Sequence, residues 1–404
     1  MYIQSKFLKV VRLTNLFSIL LLVVSLSISF SIFQRIAFLI ALFSYVIELI
    51  LEKKWRELKW ENTARQWFFI TVIIYFLLQF FFFPFETNTD YFQPIFEERV
   101  AFLVFGIVGL IGFNKYFKLK YFAWAFIATS FVLGVFLLSK LNAEILNSPN
   151  RNDMLALIRI KYISSHMKFN YFLNISLIFM YYLVVVYKIK KSFLNTLTLI
   201  ISFLVIILNL FLSDGRIGLM TSFIILALYI LRYLWSKSVR LTIISSSIFL
   251  LLVFVLIQQN PRLSLEHIKR EPRKEIWKVA VDEIKKSHFL GEGASTASYN
   301  LALEFSKRNM EKYKHSHNIF LQTLVEYGFV GLIVILMMFL LSYFTVSKKF
   351  RFMILLFTMA TILQLLVGSF QMDLNPMVFL LTIALIIHQD VFETKSDLSL
   401  SHSS

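Results

Sequence analysis

The chain has no cysteine, and its 404 residues include only 6 prolines and 11 glycines. Without cysteine there is no disulfide, no thiolate nucleophile and no Cys-type zinc site, and nothing to assign a redox compartment. Charge is scarce as well, at 16% of residues, while 58% are hydrophobic; a soluble domain of ordinary composition carries roughly 25% charged residues. The apolar residues come in runs of about twenty, the length a helix needs to cross a hydrocarbon core of roughly 30 Å. This composition excludes a soluble globular domain and predicts an all-α, polytopic membrane protein. No nucleotide-binding motif is present, since Gly291-Glu292-Gly293 alone is too short a pattern to be one.

Run length predicts about twelve spans. They fall near 13–33, 36–51, 66–84, 98–114, 119–139, 169–187, 193–212, 217–235, 240–258, 318–346, 351–369 and 373–389. The first run follows Lys6, Lys9 and Arg12, exceeds a signal-peptide core and lacks a small-x-small cleavage site, so it is expected to be a retained span. The expected organisation is a bundle over 1–258, a loop subdomain over 259–317, and the last spans and tail over 318–404.

A net charge of +17 suits an anionic partner, but its distribution argues against nucleic acid. Lys53, Lys54, Arg56, Lys59 and Arg65 share one loop, and Lys115, Lys118 and Lys120 another. Lys188, Lys190 and Lys191, then Arg232, Lys237 and Arg240, then Lys348, Lys349 and Arg351 follow in alternate loops. Glu86, Asp90, Glu97, Glu98 and Asp373 fall in the other set. Lysine and arginine hold loops on the cytoplasmic side, so both termini are expected to be cytoplasmic.

Two outer segments are long, 140–168 and 259–317. In the larger, between spans nine and ten, Pro272 fits a helix start, and Trp277, Ala280, Val281 and Ile284 form one apolar stripe. Such a helix lies on the membrane surface or caps the bundle. Residues 318–346 would form a helix of about 43 Å at 1.5 Å per residue, more than a bilayer core needs. Either it tilts, or its first turns from Asn318 to Tyr327 stand clear of the core and frame an outer cavity. Glu326 would then sit at the boundary, where a charge costs less than at mid-membrane.

Three constellations can carry chemistry. His315-Ser316-His317-Asn318 offers an imidazole base. It also fits a pair of interfacial histidines with Ser316 capping the next helix, or two ligands of a metal site with no evident third. Arg216, in Ser213-Asp214-Gly215-Arg216, either pairs with Asp214, reaches up to water, or binds an anion with its planar donor head. Arg273 lies among Arg262, Lys269, Arg270 and Lys274, which is a solvated basic patch or, together with Arg216, a bidentate diphosphate clamp.

These residues carry a resemblance. His317-Asn318, nine residues, Gly328, two residues and Gly331 is similar to the signature of the O-antigen ligase and O-antigen polymerase superfamily of bacterial inner-membrane glycosyltransferases. Leu332 follows where the ligases favour Thr or Val. Arg216 matches an Arg-x-x-x-Leu element with Met220 at the Leu position, and Arg273 before Trp277 matches an arginine of the periplasmic loop. Residues 200–345 carry the specific likeness.

The resemblance implies metal-independent, inverting glycosyl transfer at the periplasmic face of the inner membrane, without a cofactor. The donor would be a glycan on undecaprenyl diphosphate. The acceptor would be a sugar hydroxyl of lipid A–core for a ligase, or another lipid-linked glycan for a polymerase. By the same resemblance His317 would be the base and Arg216 and Arg273 would hold the diphosphate. His315, Asn318, Glu326, Gly328 and Gly331 would support the turn and helix around His317. A protein-directed oligosaccharyltransferase is a sibling reading. A transporter of lipid-linked glycan or small molecules is the alternative of another class, weighed down by the scarcity of expected mid-span charges.

Overall fold

The computed structural model describes residues 2–28, 31–54, 62–140, 166–190, 192–212, 216–235, 237–248, 272–311, 313–368 and 375–401. Among them every regular element is helical. The chain divides into two compact units, one of residues 1–125 and 275–404 and one of residues 126–274.

The first unit holds α1 (Tyr2–Ile28), α2 (Ser31–Glu52), α3 (Ala64–Phe82), α4 (Phe92–Ile111) and the start of α5 (Leu119–Ser139). The second holds the rest of α5, then α6 (His166–Tyr181), α7 (Phe193–Leu212), α8 (Arg216–Trp235) and the short α9 (Val239–Ile248). The first unit resumes at Glu275, inside α10 (Arg273–Lys286), and continues through α11 (Ala294–Lys307), α12 (Ile319–Phe344), α13 (Lys348–Leu365) and α14 (Asn375–Ser401).

Nine helices among the described residues are long and apolar enough to span a membrane, against the twelve expected. The difference has a physical reason. The fourth and eleventh expected spans are helices, α4 and α13, but Glu97, Glu98 and Arg99 sit in the first and Lys348, Lys349 and Arg351 in the second. Most of the ninth, residues 249–258, lies outside the described residues, as do most of 140–168 and 259–271. The second span, short in the sequence, is a full 22-residue helix because α2 starts earlier, at Ser31.

In the first unit α3 is the central helix, packed on α4 and α12. Its start is fixed by a capping box: Thr63 Oγ1 accepts from Gln66 N, and Gln66 Oε1 accepts from Thr63 N. Pro84 ends it in a 3-10 turn. Lipid gives no hydrophobic drive between helices, so close packing and polar contacts hold them. Gly109 illustrates the first, since a Cβ there would sit 2.0 Å from the Phe69 ring. Glu48 illustrates the second. Fully buried on α2, it accepts from Asn15 at 3.2 Å, Asn114 at 2.8 Å and Lys54 at 2.6 Å, which ties α1 and α2 to the end of α4.

In the second unit α6 is enclosed by its neighbours, and Asn174 Nδ2 donates to Gly218 O on α8 at 2.9 Å. A cavity of about 680 Å³ opens among α6, α7 and α8, lined by Tyr181, Tyr229, Tyr233, Trp235 and Arg232. Arg232 is sixteen residues along α8 from Arg216, roughly 24 Å at the helical rise. The cavity therefore belongs to the other end of that helix.

Candidate functional site

The turn before α12 carries the two histidines. Asn318 is the cap of this helix. Its φ is −152°, and its Oδ1 accepts from Phe320 N at 3.0 Å and Leu321 N at 3.1 Å. Ser316, the cap expected from sequence, is instead fully buried, with its hydroxyl donating to Asn318 O at 2.9 Å. The cap moves two residues on because His317 takes a left-handed backbone, φ +50°, which turns Asn318 into the extended capping position.

His315 is 3% exposed, and its Nδ1 accepts from the His317 backbone N–H at 3.2 Å. An accepting Nδ1 leaves the neutral ring's proton on Nε2. Burial first, and the neighbouring His317 second, hold this imidazole down at about 3, so it stays neutral. His317 is only partly buried. Its ring centroid lies 3.9 Å from that of His315, and the Tyr313 ring meets it edge-on at 5.7 Å. The two imidazoles thus have different situations, one buried and neutral, the other partly exposed. No group of three or more His, Asp or Glu is clustered for a metal ion among the described residues.

α12 is broken rather than simply long. Gly328 has φ +59° and ψ −152°, a region open essentially to glycine alone, so the helix runs to Tyr327 and restarts at Phe329. The segment after α10 fills the break. Glu292 N donates to Val325 O at 3.1 Å, Gly293 N to Glu326 O at 2.9 Å, and Phe329 N to Phe289 O at 3.1 Å. Backbone groups freed by the break are satisfied by another backbone, which polar groups away from water require. Two glycines allow the approach. A Cβ on Gly328 would lie 2.2 Å from Phe289 O, and one on Gly291 would lie 2.6 Å from Gly328 N. At Gly331 the neighbours are Tyr327 Cβ at 2.5 Å and Thr323 Cγ2 at 2.8 Å.

The helix predicted after Pro272 is α10, and its apolar face packs on protein. Ile276, Val279, Ala280 and Ile284 bury against Ala297, Leu301 and Phe305 of α11 and Val325 of α12. The stripe is rotated from the one expected: Trp277 is only partly buried in it, and Val281 is not among the core residues. Trp277 keeps its indole N–H buried without a hydrogen-bond partner, one turn past Arg273. The second amphipathic helix, α11, is capped from a distance. Glu86 Oε1 accepts from Ser295 N at 3.1 Å, and Ser295 and Thr296 hydroxyls accept from Tyr91, Thr87 and Asn88 backbone N–H groups. Burial pushes the Glu86 carboxyl above its ordinary range, partly offset by those helix N–H groups.

Glu326 is not at a wet boundary. It is fully buried and ion-paired, its Oε2 2.5 Å from Arg99 of α4, which is itself 2% exposed. Arg99 also donates to the Tyr327 hydroxyl and lies over the Tyr327 and Tyr75 rings at 5.2 and 5.9 Å. Gln322 Nε2 donates to Glu326 Oε1 at 2.8 Å, and Gln322 Oε1 accepts from Ser316 N at 2.9 Å. Sequence reasoning missed Arg99. Its signal was an arginine at the head of an apolar run, and an ionisable residue in a span is a functional candidate by default.

Six of the expected site residues, His315, His317, Asn318, Glu326, Gly328 and Gly331, thus lie on α12 or the turn before it, within the first unit. Arg216 is the first residue of α8 in the second unit, and Arg273 is the first residue of α10. Residues 201–336 match the sequence model of a family described as O-antigen ligase. This stretch is similar to an O-antigen ligase domain. It takes in Arg216, Arg273 and the whole His317–Gly331 motif. No curated protein matches the chain. Within the matched stretch, the partly buried histidine and the glycine that breaks α12 are both motif residues.

Proposed function

We propose that the protein is an O-antigen ligase-like glycosyltransferase. It moves a glycan from undecaprenyl diphosphate to a sugar hydroxyl of lipid A–core at the periplasmic face of the bacterial inner membrane, with both termini in the cytoplasm. The observation that carries this is the pairing of His317, partly exposed at a capped turn, with a family match spanning the same motif.

In this reading His317 takes the proton of the acceptor hydroxyl. The hydroxyl oxygen bonds to the anomeric carbon from the face opposite the diphosphate, which inverts that centre. The bond to the diphosphate oxygen breaks, and the diphosphate leaves with the electron pair. Neither metal nor cofactor is needed for this step, because the leaving group is already good. Arg216 and Arg273 hold the diphosphate and stabilise its growing charge. Each opens a helix, and a helix N-terminus presents free N–H groups and a positive dipole end, so each arginine has a second anion-binding feature beside it.

Polymerisation of lipid-linked repeat units is the second reading, favoured by Leu332 and Met220 standing where the ligase pattern has other residues. Lipopolysaccharide from a deletion strain separates the two. Loss of a ligase leaves core without any O-chain, whereas loss of a polymerase leaves core bearing one repeat.

A further inference from the structure

We propose that Arg99 is a positioning residue for His317, acting through Glu326 and Gln322; the inference rests on the reading of His317 as the base. The contacts are continuous. Arg99 pairs with Glu326 Oε2 at 2.5 Å, Glu326 Oε1 accepts from Gln322 Nε2 at 2.8 Å, and Gln322 Oε1 accepts from the Ser316 backbone N–H at 2.9 Å. Ser316 is the residue before His317, and its hydroxyl donates to Asn318 O just after it at 2.9 Å.

The chemistry gives this chain a direction. An amide side chain can turn over, and only its surroundings decide which end faces which neighbour. An ionised carboxylate accepts and never donates, so it draws the Gln322 NH₂ to itself and leaves the Gln322 oxygen facing Ser316 N–H. Glu326 is fully buried, and a carboxylate so placed stays ionised only with a cation against it. Arg99 is that cation. It comes from α4, more than two hundred residues away in sequence.

A clamp between α4 and α12 would not require charge. A well-packed apolar pair stabilises as well as a buried ion pair or better. What an apolar pair cannot do is hold the Gln322 amide in one orientation. The turn also needs holding, because His317 sits in a left-handed backbone that non-glycine residues seldom adopt. His315 Nδ1 restrains it from one side through the His317 N–H at 3.2 Å, and Gln322 restrains it from the other.

The test uses the full-length protein in nanodiscs, with Arg99→Met/Glu326→Met, which removes both charges together, and Gln322→Leu, which keeps the ion pair and cuts the chain at its last link. Two quantities are read. One is the kinetics of glycan transfer; the other is the rate at which diethyl pyrocarbonate modifies His317, located by peptide mass. The expected result is unfolding temperatures close to wild type, kcat lower by about 10- to 100-fold with KM unchanged, and a shifted rate of His317 modification. Arg99→Lys, which keeps a cation, should recover most of both. A folded variant whose His317 is modified at the wild-type rate overturns the inference, whatever its activity. If the double variant fails to fold, Gln322→Leu decides. If His317→Ala transfers glycan at the wild-type rate, the base reading falls, and the modification rate alone still decides whether Arg99 governs the turn.

Discussion

Arg99 and Glu326 meet at 2.5 Å on two different helices, both shut away from solvent. Removing one partner strands the other as an uncompensated buried charge. Arg99→Met or Glu326→Met alone is expected to cost about 3–5 kcal/mol, and the double change to be much milder. A double-mutant cycle on thermal unfolding in detergent checks this. A loss in the double variant equal to the sum of the two single losses would mean that the pair is not coupled.

The backbone contact between the 289–293 segment and the break in α12 leaves no room for a side chain. Gly328→Ala meets backbone at 2.2 Å and forces a glycine-only conformation. The strain alone is about 1–3 kcal/mol, and the clash adds to it. Gly291→Ala meets the same contact from the other side. Both variants should be poorly expressed or unfold well below wild type. Gly368→Ala, whose nearest new contact is 3.3 Å away, should be far milder.

His315 makes stability depend on pH. Its folded value is held down at about 3, against about 6.5 for an unperturbed imidazole. Between the two the unfolded chain binds a proton that the native state does not. Stability therefore falls as pH is lowered from about 6.5 toward 3, and this group has no effect above that window. His315→Gln should flatten the dependence of unfolding temperature on pH below about 6.5. An acid limb in activity near neutrality cannot belong to His315, which is already neutral there.

Much of the fold was legible because each span is a local event: twenty apolar residues form a helix wherever they lie. The helix after Pro272 was legible for the same reason, from period and a proline start. The break at Gly328 was not, because a lone glycine in an apolar run looks like tolerated packing until another backbone is brought against it. The Arg99–Glu326 pair was hidden for a related reason. Each residue sits near the end of its own apolar run and looks like a boundary charge, and only the packing of α3, α4 and α12 shows that they face each other. Ser316 lost the cap to Asn318 through the left-handed turn at His317, a conformation that residue type does not announce. Asn318, His315 and His317 were visible as a motif, but that Asn318 caps the helix and His315 is buried while His317 is partly exposed came from geometry.

The account rests on His317 as the base, with Arg216 and Arg273 as the anion holders. The most direct measurement is transfer in vitro, with purified protein, a defined undecaprenyl diphosphate-linked glycan and lipid A–core as acceptor. Wild type should attach the glycan. His317→Ala should lose at least about 10²-fold in kcat as general-base catalysis is removed, and Arg216→Ala and Arg273→Ala should lose transfer while remaining folded. Wild-type rates from folded His317→Ala would contradict the account.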